Sequence, residues 1–262
     1  MSLIMIDAGV NLTNQQFDNQ HTDIIARAHA AGVSNMLVIG CDISSSESAL
    51  TLAQNHNLYA TVGVHPHDAK TADNTLEEQL SLFASNKKVI AIGECGLDYN
   101  RDFSPRDIQR NVFRRQLALA EQLNFPVYLH ERDASEDMLN ILKEFKVQGV
   151  LHCFTGNAEA LKNYLDLGLY IGITGWVCDE RRGKELQQLI PSIPLDKLLI
   201  ETDAPFLIPR TIKPKPKSRK NEPAYLSYVC HTIAQLYKLP DDVVATQTTK
   251  NFYTLFNLEH NT

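Results

Sequence analysis

The stretch Val89–Tyr99, VIAIGECGLDY, decides how the rest of the chain reads. Val89, Ile90, Ala91 and Ile92 form a short apolar run rich in β-branched residues, as a strand covered on both faces of a parallel sheet does. The run stops at Gly93, and Glu94 follows at its carboxyl end. A carboxylate beside a buried strand is costly unless a cation or a metal meets it. The same construction recurs: LYATVGVHPH carries His65, FPVYLHERD His130, GVLHCFTG His152 and KLLIETDAP Asp203. Five apolar strands that each deliver an acid or an imidazole at the same end imply an active site.

Working outward, further strands are expected over residues 3–7, 36–39, 59–64, 126–129, 149–151, 169–173 and 198–201, with helical stretches between them. In the helix after VIAIGECGLDY, Ser104 is expected as N-cap, Pro105 as first residue and Asp107 as the returning acid. Ile108, Val112, Phe113, Leu117, Ala120 and Leu123 give that helix an apolar face. Asp133 with Glu136 is expected to cap the next helix, which runs to about Phe145. Strand–helix units numbering about eight, in about 250 residues, are the arithmetic of a closed (β/α)8 TIM barrel. An open doubly wound sheet is the alternative, but it would gather its ligand at one switch point and not from most of its strands.

A chain of 262 residues fits one barrel domain over 1–262 better than two small ones. Its net charge of −6 excludes a nucleic-acid coat protein, so any polyanion must be held by a local patch. The five cysteines, Cys41, Cys95, Cys153, Cys178 and Cys230, are scattered and never form C-x-x-C, which reads as reduced thiols in the cytoplasm. The opening MSLIMIDAG is too short an apolar run for a secretion signal, and no apolar span is long enough for a membrane helix.

Glu94, His130 and His152 are the residue types of a divalent-metal site that leaves positions open for water and substrate. Asp203 reads either as a loop or cap aspartate or as a general base that takes a proton from the attacking water. His65, closer to its strand end than His67, is assigned to the phosphate or leaving group, and His67 to the loop. Asp98 is either a partner that orients a ligand or a turn residue. Strand alternation turns Cys95 and Cys153 away from the site.

After Asp203 the loop PFLIPRTIKPKPKSRKNEP cannot be regular helix. Between Arg210 and Lys220 it holds six positive charges, Lys213, Lys215 and Lys217 among them, and no acid. Such a run is either a solvated loop or a cradle for a phosphate backbone. Trp176 and Phe206, just beyond strand ends, offer faces on which an unpaired base could stack. Arg132 after the fifth strand is a further candidate for phosphate contact.

The segments DAGVNLT, GVHPHD, AIGECGLDY, PVYLHERDA, LHCFTG, YIGITGWVCDERRG, LLIETDAP and KSRKNEPAYL resemble the TatD family of metal-dependent deoxyribonucleases over almost the whole chain. The resemblance implies an amidohydrolase-like TIM barrel acting as a magnesium-dependent 3′ to 5′ exonuclease on single-stranded DNA, with RNA as a second substrate, in cytoplasmic DNA repair. It implies Glu94, His130 and His152 as metal ligands, with Asp203 and His65 completing the site. Mn2+ and Zn2+ are the other ions such a site takes. Many relatives carry H-x-H at the end of the first strand for a second metal. Gly9 and Asn11 stand there in this chain, which implies one ion per chain. A monomer is expected. The competing enzyme reading is a metal-dependent hydrolase of a small ester, lactone or amide, since fold alone does not fix substrate.

Overall fold

A computed structural model of the protein describes residues 3–259. Strands and helices alternate along it: β1 (Met5–Val10), α1 (His21–Ala30), β2 (Val33–Val38), α2 (Ile43–His56), β3 (Tyr59–Val62), α3 (Leu76–Ala84), β4 (Val89–Asp98), α4 (Arg106–Leu123), β5 (Val127–Arg132), α5 (Ser135–Leu142), β6 (Gly149–Leu151), α6 (Ala158–Asp166), β7 (Tyr170–Ile173), α7 (Lys184–Leu189), β8 (Leu198–Ile200), α8 (Leu226–Tyr237) and α9 (Asp241–Leu255). The strands follow one another in a single sheet in the order β1 to β8. Where their registers are defined they run parallel. This is the expected (β/α)8 barrel; the open doubly wound sheet, whose strand order reverses, is excluded.

The chain divides into two compact units, one of Val38–His152 with Lys162–Leu169 and one of Met1–Leu37, Cys153–Leu161 and Tyr170–Thr262. In the first, Ala60, Val62, Ile90, Ile92, Val127 and Leu129 are buried on β3, β4 and β5, and α4 lays Val112, Phe113, Leu117 and Ala120 over them. Two buried glutamines on the same helix then fix where the strands end. The Gln116 amide accepts from Val64 N (2.8 Å) and donates to Val64 O (2.9 Å). That side chain takes the backbone groups a neighbouring strand would otherwise use, so β3 stops at Val62, short of the expected residue 64. Gln109 does the same for Asp98, accepting from its N at 2.9 Å and donating to its O at 3.1 Å. Helix packing thereby sets the backbone on which His65 and Asp98 are mounted.

β4 departs most from expectation. It does not stop at Gly93 but continues through Asp98. Gly93 faces Tyr128 and Cys95 faces the next residue, Leu129, so Glu94 is the extra residue of a bulge. Gly93 and Gly96 hold φ values of +142° and +146°, which residues with a Cβ rarely adopt. A Cβ on Gly93 would stand 2.2 Å from Tyr128 O, and one on Gly96 1.9 Å from His130 O. The glycines therefore bend the strand instead of ending it, and the bend re-aims Glu94.

Two expected caps are corrected. α4 begins at Arg106, with Pro105 at its N-cap and no side-chain cap bond. Ser104 instead donates to His67 O (2.8 Å) and accepts from Lys70 N (3.1 Å), tying two loops together. α5 ends at Leu142, and its N-cap is Ala134. Asp133 accepts from Asn100 Nδ2 at 2.7 Å instead of capping. An unforeseen capping box opens α2, where Asp42 accepts from Ser45 N at 2.6 Å and Ser45 Oγ accepts from Asp42 N at 2.8 Å.

In the other unit, β8 pairs with β7 in parallel, Gly172 opposite Leu199. Past its end, Asp203 N donates to Gly9 O and Asn11 N to Ala204 O, both at 2.9 Å. Val229 and Ile233 of α8 and Val244 and Phe252 of α9 are buried beside them in that unit's core. Among the described residues no helix is long and apolar enough to cross a membrane.

Candidate active site

In the Val38–His152 unit, three imidazoles converge on one carboxylate oxygen. Glu94 Oε1 lies 2.9 Å from His130 Nδ1, 3.3 Å from His65 Nε2 and 3.3 Å from His152 Nε2. The bulge in β4 supplies Glu94, β5 supplies His130, His152 follows β6 directly, and His65 stands three residues past the end of β3. Glu94, His65 and His152 are buried, and His130 is half-buried. Burial opposes ionisation of Glu94, but the rings of His152, His65 and His130 hold its carboxyl well below the ordinary carboxylate range. Its second oxygen, Oε2, accepts from Cys41 Sγ at 3.6 Å.

The free nitrogen of each ring decides what that ring can do. His65 Nδ1 accepts the His67 backbone N–H at 3.1 Å. A neutral imidazole has one donor and one acceptor, so the His65 hydrogen sits on Nε2, facing the carboxylate. Burial pushes its pKa down to about 4, with Glu94 working in the other direction, so His65 is an uncharged N–H donor at neutral pH. His152 Nδ1 lies 3.2 Å from the hydroxyl of Tyr128, which is 0% exposed. His130 Nε2 is buried without a hydrogen bond and 3.5 Å from Asp98 Oδ2, close enough for charge to act but too long for a good hydrogen bond. Burial disfavours the charged ring of His130, yet Asp98 and Glu94 together raise its pKa.

Asp98 joins its two expected roles. Oδ1 accepts from Asn100 N (2.9 Å) and Arg101 N (2.8 Å), which makes the turn, while Oδ2 accepts from His67 Nε2 at 2.7 Å. Burial would raise its pKa; His130, His67 and the Arg101 N–H outweigh that and lower it. His67 is thus more than a loop residue, since its ring packs edge-on against His65 at 4.3 Å.

The donor set suits a divalent cation. Ligand atoms of His65, Glu94 and His130 lie within 4.8 Å of one another, and the single oxygen Oε1 faces three imidazole nitrogens, more than its two lone pairs can accept from. Nitrogen and carboxylate oxygen donors of this kind serve Zn2+, Mn2+ and related ions, and Mg2+ through the carboxylate. Of the expected trio, Glu94 and His130 share that group with His65, while His152 is outside it and meets Glu94 Oε1 at 3.3 Å.

In the other unit, Asp203 is half-buried and accepts from Asn11 Nδ2 at 2.8 Å. The asparagine at the H-x-H position therefore acts as a donor to the acid. Asp7, fully buried, accepts from Gly9 N (3.3 Å), Thr202 N (2.8 Å) and the Thr202 hydroxyl, and burial pushes its pKa up to about 7. Trp176 lies under the Arg182 guanidinium, 4.7 Å from the ring centroid. The basic loop has fixed ends and an open middle. Arg210 pairs with Glu180 at 2.7 Å, and Lys220 donates to Gln16 O and Gln20 Oε1 at 3.0 Å. Lys213, Lys215 and Lys217 are exposed, and Lys215, Lys217 and Arg219 line a cavity of about 530 Å³. Arg132, the last residue of β5, is also exposed.

Sequence reading missed Tyr128, Cys41 and the bond between His67 and Asp98. Tyr128 had a signal, because it stands two residues before His130 and so faces the same side of the strand. Cys41 had one too, because it follows the apolar run ending at Gly40 as the acids and imidazoles follow theirs.

Fold and site together define a TIM barrel whose His/Glu cluster suits a divalent metal. The chain belongs to the TatD-related DNase family, whose description matches residues 6–257. It is 48% identical over 261 residues to the 3′-5′ ssDNA/RNA exonuclease TatD of Klebsiella pneumoniae, covering 98% of this chain and 99% of that one. It is 48% identical over 258 residues to the protein of the same name in Salmonella typhimurium, covering 97% and 99%. Among solved structures, a TatD homologue from Escherichia coli K12 superposes with a TM-score of 0.89 at 30% identity, covering 99% of this chain and 100% of that chain. The E. coli phosphotriesterase homology protein, complexed with phosphate in its active site, shares the fold, with a TM-score of 0.68 at 14% identity over 98% of this chain and 99% of that one.

Proposed function

We propose that this protein is a divalent-metal-dependent nuclease that removes nucleotides from the 3′ end of single-stranded DNA and RNA. The observation that carries this is the convergence of His65, His130 and His152 on Glu94 Oε1, in a chain so similar along its length to curated 3′-5′ exonucleases. Glu94, His130 and His152 would hold one ion, Mg2+ in the cell. Such an ion polarises a phosphoryl oxygen and makes water more acidic.

The chain's own groups do the rest. With its hydrogen on Nδ1, toward Tyr128, His152 would offer its Nε2 lone pair to the ion. His65, neutral and with its hydrogen on Nε2, donates to the oxygen on which charge develops. Asp203, oriented by the Asn11 amide, takes the proton of the attacking water. Arg132 contacts the scissile phosphate, Lys213, Lys215 and Lys217 hold the backbone beyond it, and the half-buried Trp176 takes a base. The protein acts as a monomer in the cytoplasm, in DNA repair.

The test is a digest of end-labelled single- and double-stranded oligonucleotides with Mg2+, Mn2+ or chelator, alongside a model carboxylic ester. Mononucleotides released from the 3′ end of single strands, abolished by chelator and by Glu94→Ala, are expected. Wild-type nuclease rate in Glu94→Ala, or turnover of the ester alone, would overturn the proposal.

A further inference from the structure

An exposed aromatic ring stands two ring contacts away from the His/Glu cluster, in the same unit. Phe103 is 55% exposed, its ring centroid 4.7 Å from that of His67, which in turn packs 4.3 Å from His65. A single exposed phenylalanine needs no explanation by itself; the mounting of this one does. Its carbonyl accepts from Lys70 Nζ at 3.0 Å. Ser104, the next residue, is bonded to His67 O and Lys70 N, and its own carbonyl accepts from the buried Gln109 amide at 2.8 Å. A mobile loop has no need of such fixing. The chain holds an apolar ring out in water on a rigid support, with the exposed Lys70 bonded to its backbone carbonyl.

We propose that Phe103 is a stacking platform for an unpaired base of the single-stranded substrate at the mouth of the cluster. Every base has a π-face, so such a platform binds without reading sequence, and it rejects duplex, whose bases are stacked already. The rigid mount lowers the ordering cost of the contact. This rests on the nuclease reading, and its test separates the two.

The variants are Phe103→Ala, Phe103→Leu, which keeps apolar bulk without a π-face, and Phe103→Trp. Two labelled strands of equal length are used, oligo-dT and a strand of abasic tetrahydrofuran spacers. Binding is read by fluorescence anisotropy in chelator, where no turnover occurs, and KM and kcat are read with Mg2+. Phe103→Ala and Phe103→Leu are expected to bind oligo-dT about 5- to 150-fold more weakly, the range of one base–aromatic stack. KM should rise in parallel, with the abasic strand unaffected and Phe103→Trp at wild-type level or better. Equal loss on both strands, no loss on either, or full recovery by leucine would overturn the platform. Failure of the wild type to cleave oligo-dT would sink the nuclease reading alone, because the anisotropy comparison still decides the role of Phe103.

Discussion

Adding one methyl group to Gly96 tests the link between the β4 bulge and the metal-type cluster. Gly96 lies opposite His130 in the β4–β5 register, and a Cβ built on it stands 1.9 Å from the His130 carbonyl oxygen. Real Cβ atoms do not approach within 3.0 Å, so one strand must yield by about 1 Å. Holding an L-residue at φ +146° costs about 1–3 kcal/mol, and forcing the strands apart about 1–3 kcal/mol more. Gly96→Ala is therefore expected to lose about 2–6 kcal/mol of stability. A shift of about 1 Å at His130 should also cost on the order of 100-fold in turnover. Denaturant unfolding, a Mn2+ titration by calorimetry and the end-labelled digest measure the three effects. Gly168→Ala is the control, because Gly168 has φ +81° and nothing within 4 Å of a built Cβ, so it should lose only about 1–2 kcal/mol and leave the site alone. A Gly96→Ala protein within 0.5 kcal/mol of wild type would refute the steric reasoning. A destabilised one with wild-type Mn2+ affinity and rate would refute the claim that this contact positions His130.

Tyr128→Phe keeps the packing and removes the oxygen 3.2 Å from His152 Nδ1; metal affinity should fall about 10- to 100-fold with little change in unfolding, and unchanged affinity would assign the hydroxyl to packing. Asp7, with a folded pKa of about 7 against an ordinary 3.8, stays neutral in the fold while the unfolded chain ionises. Its contribution to stability is full below about pH 4 and declines as pH rises to about 7. Asp7→Asn should remove that decline, gaining on wild type by up to about 4 kcal/mol between pH 4 and 7 in chelator; parallel stability curves for the two proteins would contradict the shift. Changing Lys213, Lys215 and Lys217 to serine should reduce the slope of log affinity for single-stranded DNA against log salt by about 2, at about 0.7 per lost phosphate contact. An unaltered slope would leave these lysines as solvated surface.

The barrel was legible because apolar runs of strand length alternate with helical stretches, and Glu94, His130 and His152 because each follows such a run directly. What escaped the sequence depends on contacts between distant segments. Gly93 reads as a strand end, and only its pairing with Tyr128 shows that the strand bulges there and goes on. Ser104-Pro105 is a sound local cap signal, but the serine hydroxyl is drawn away by backbone groups of His67 and Lys70. The docking of Gln109 and Gln116 on strand ends looks, in sequence, like two polar residues on an otherwise apolar face. The tautomer of His65 depends on the N–H of His67, so roles for the HPH pair cannot be divided by distance from the strand end alone.

The thiol of Cys41, 3.6 Å from Glu94 Oε2, has a consequence for handling the protein. Imidazole and carboxylate alone discriminate modestly among first-row cations, whereas sulfur draws the thiophilic ones. Cys41 lies outside the group that His65, Glu94 and His130 form, but trace zinc, copper or cadmium bound beside Glu94 would find within reach its sulfur, which magnesium would not use. Any assignment of the physiological ion therefore has to begin from exhaustively chelated material. Mutating this cysteine to serine should blunt cadmium poisoning while leaving the hard-ion response in place.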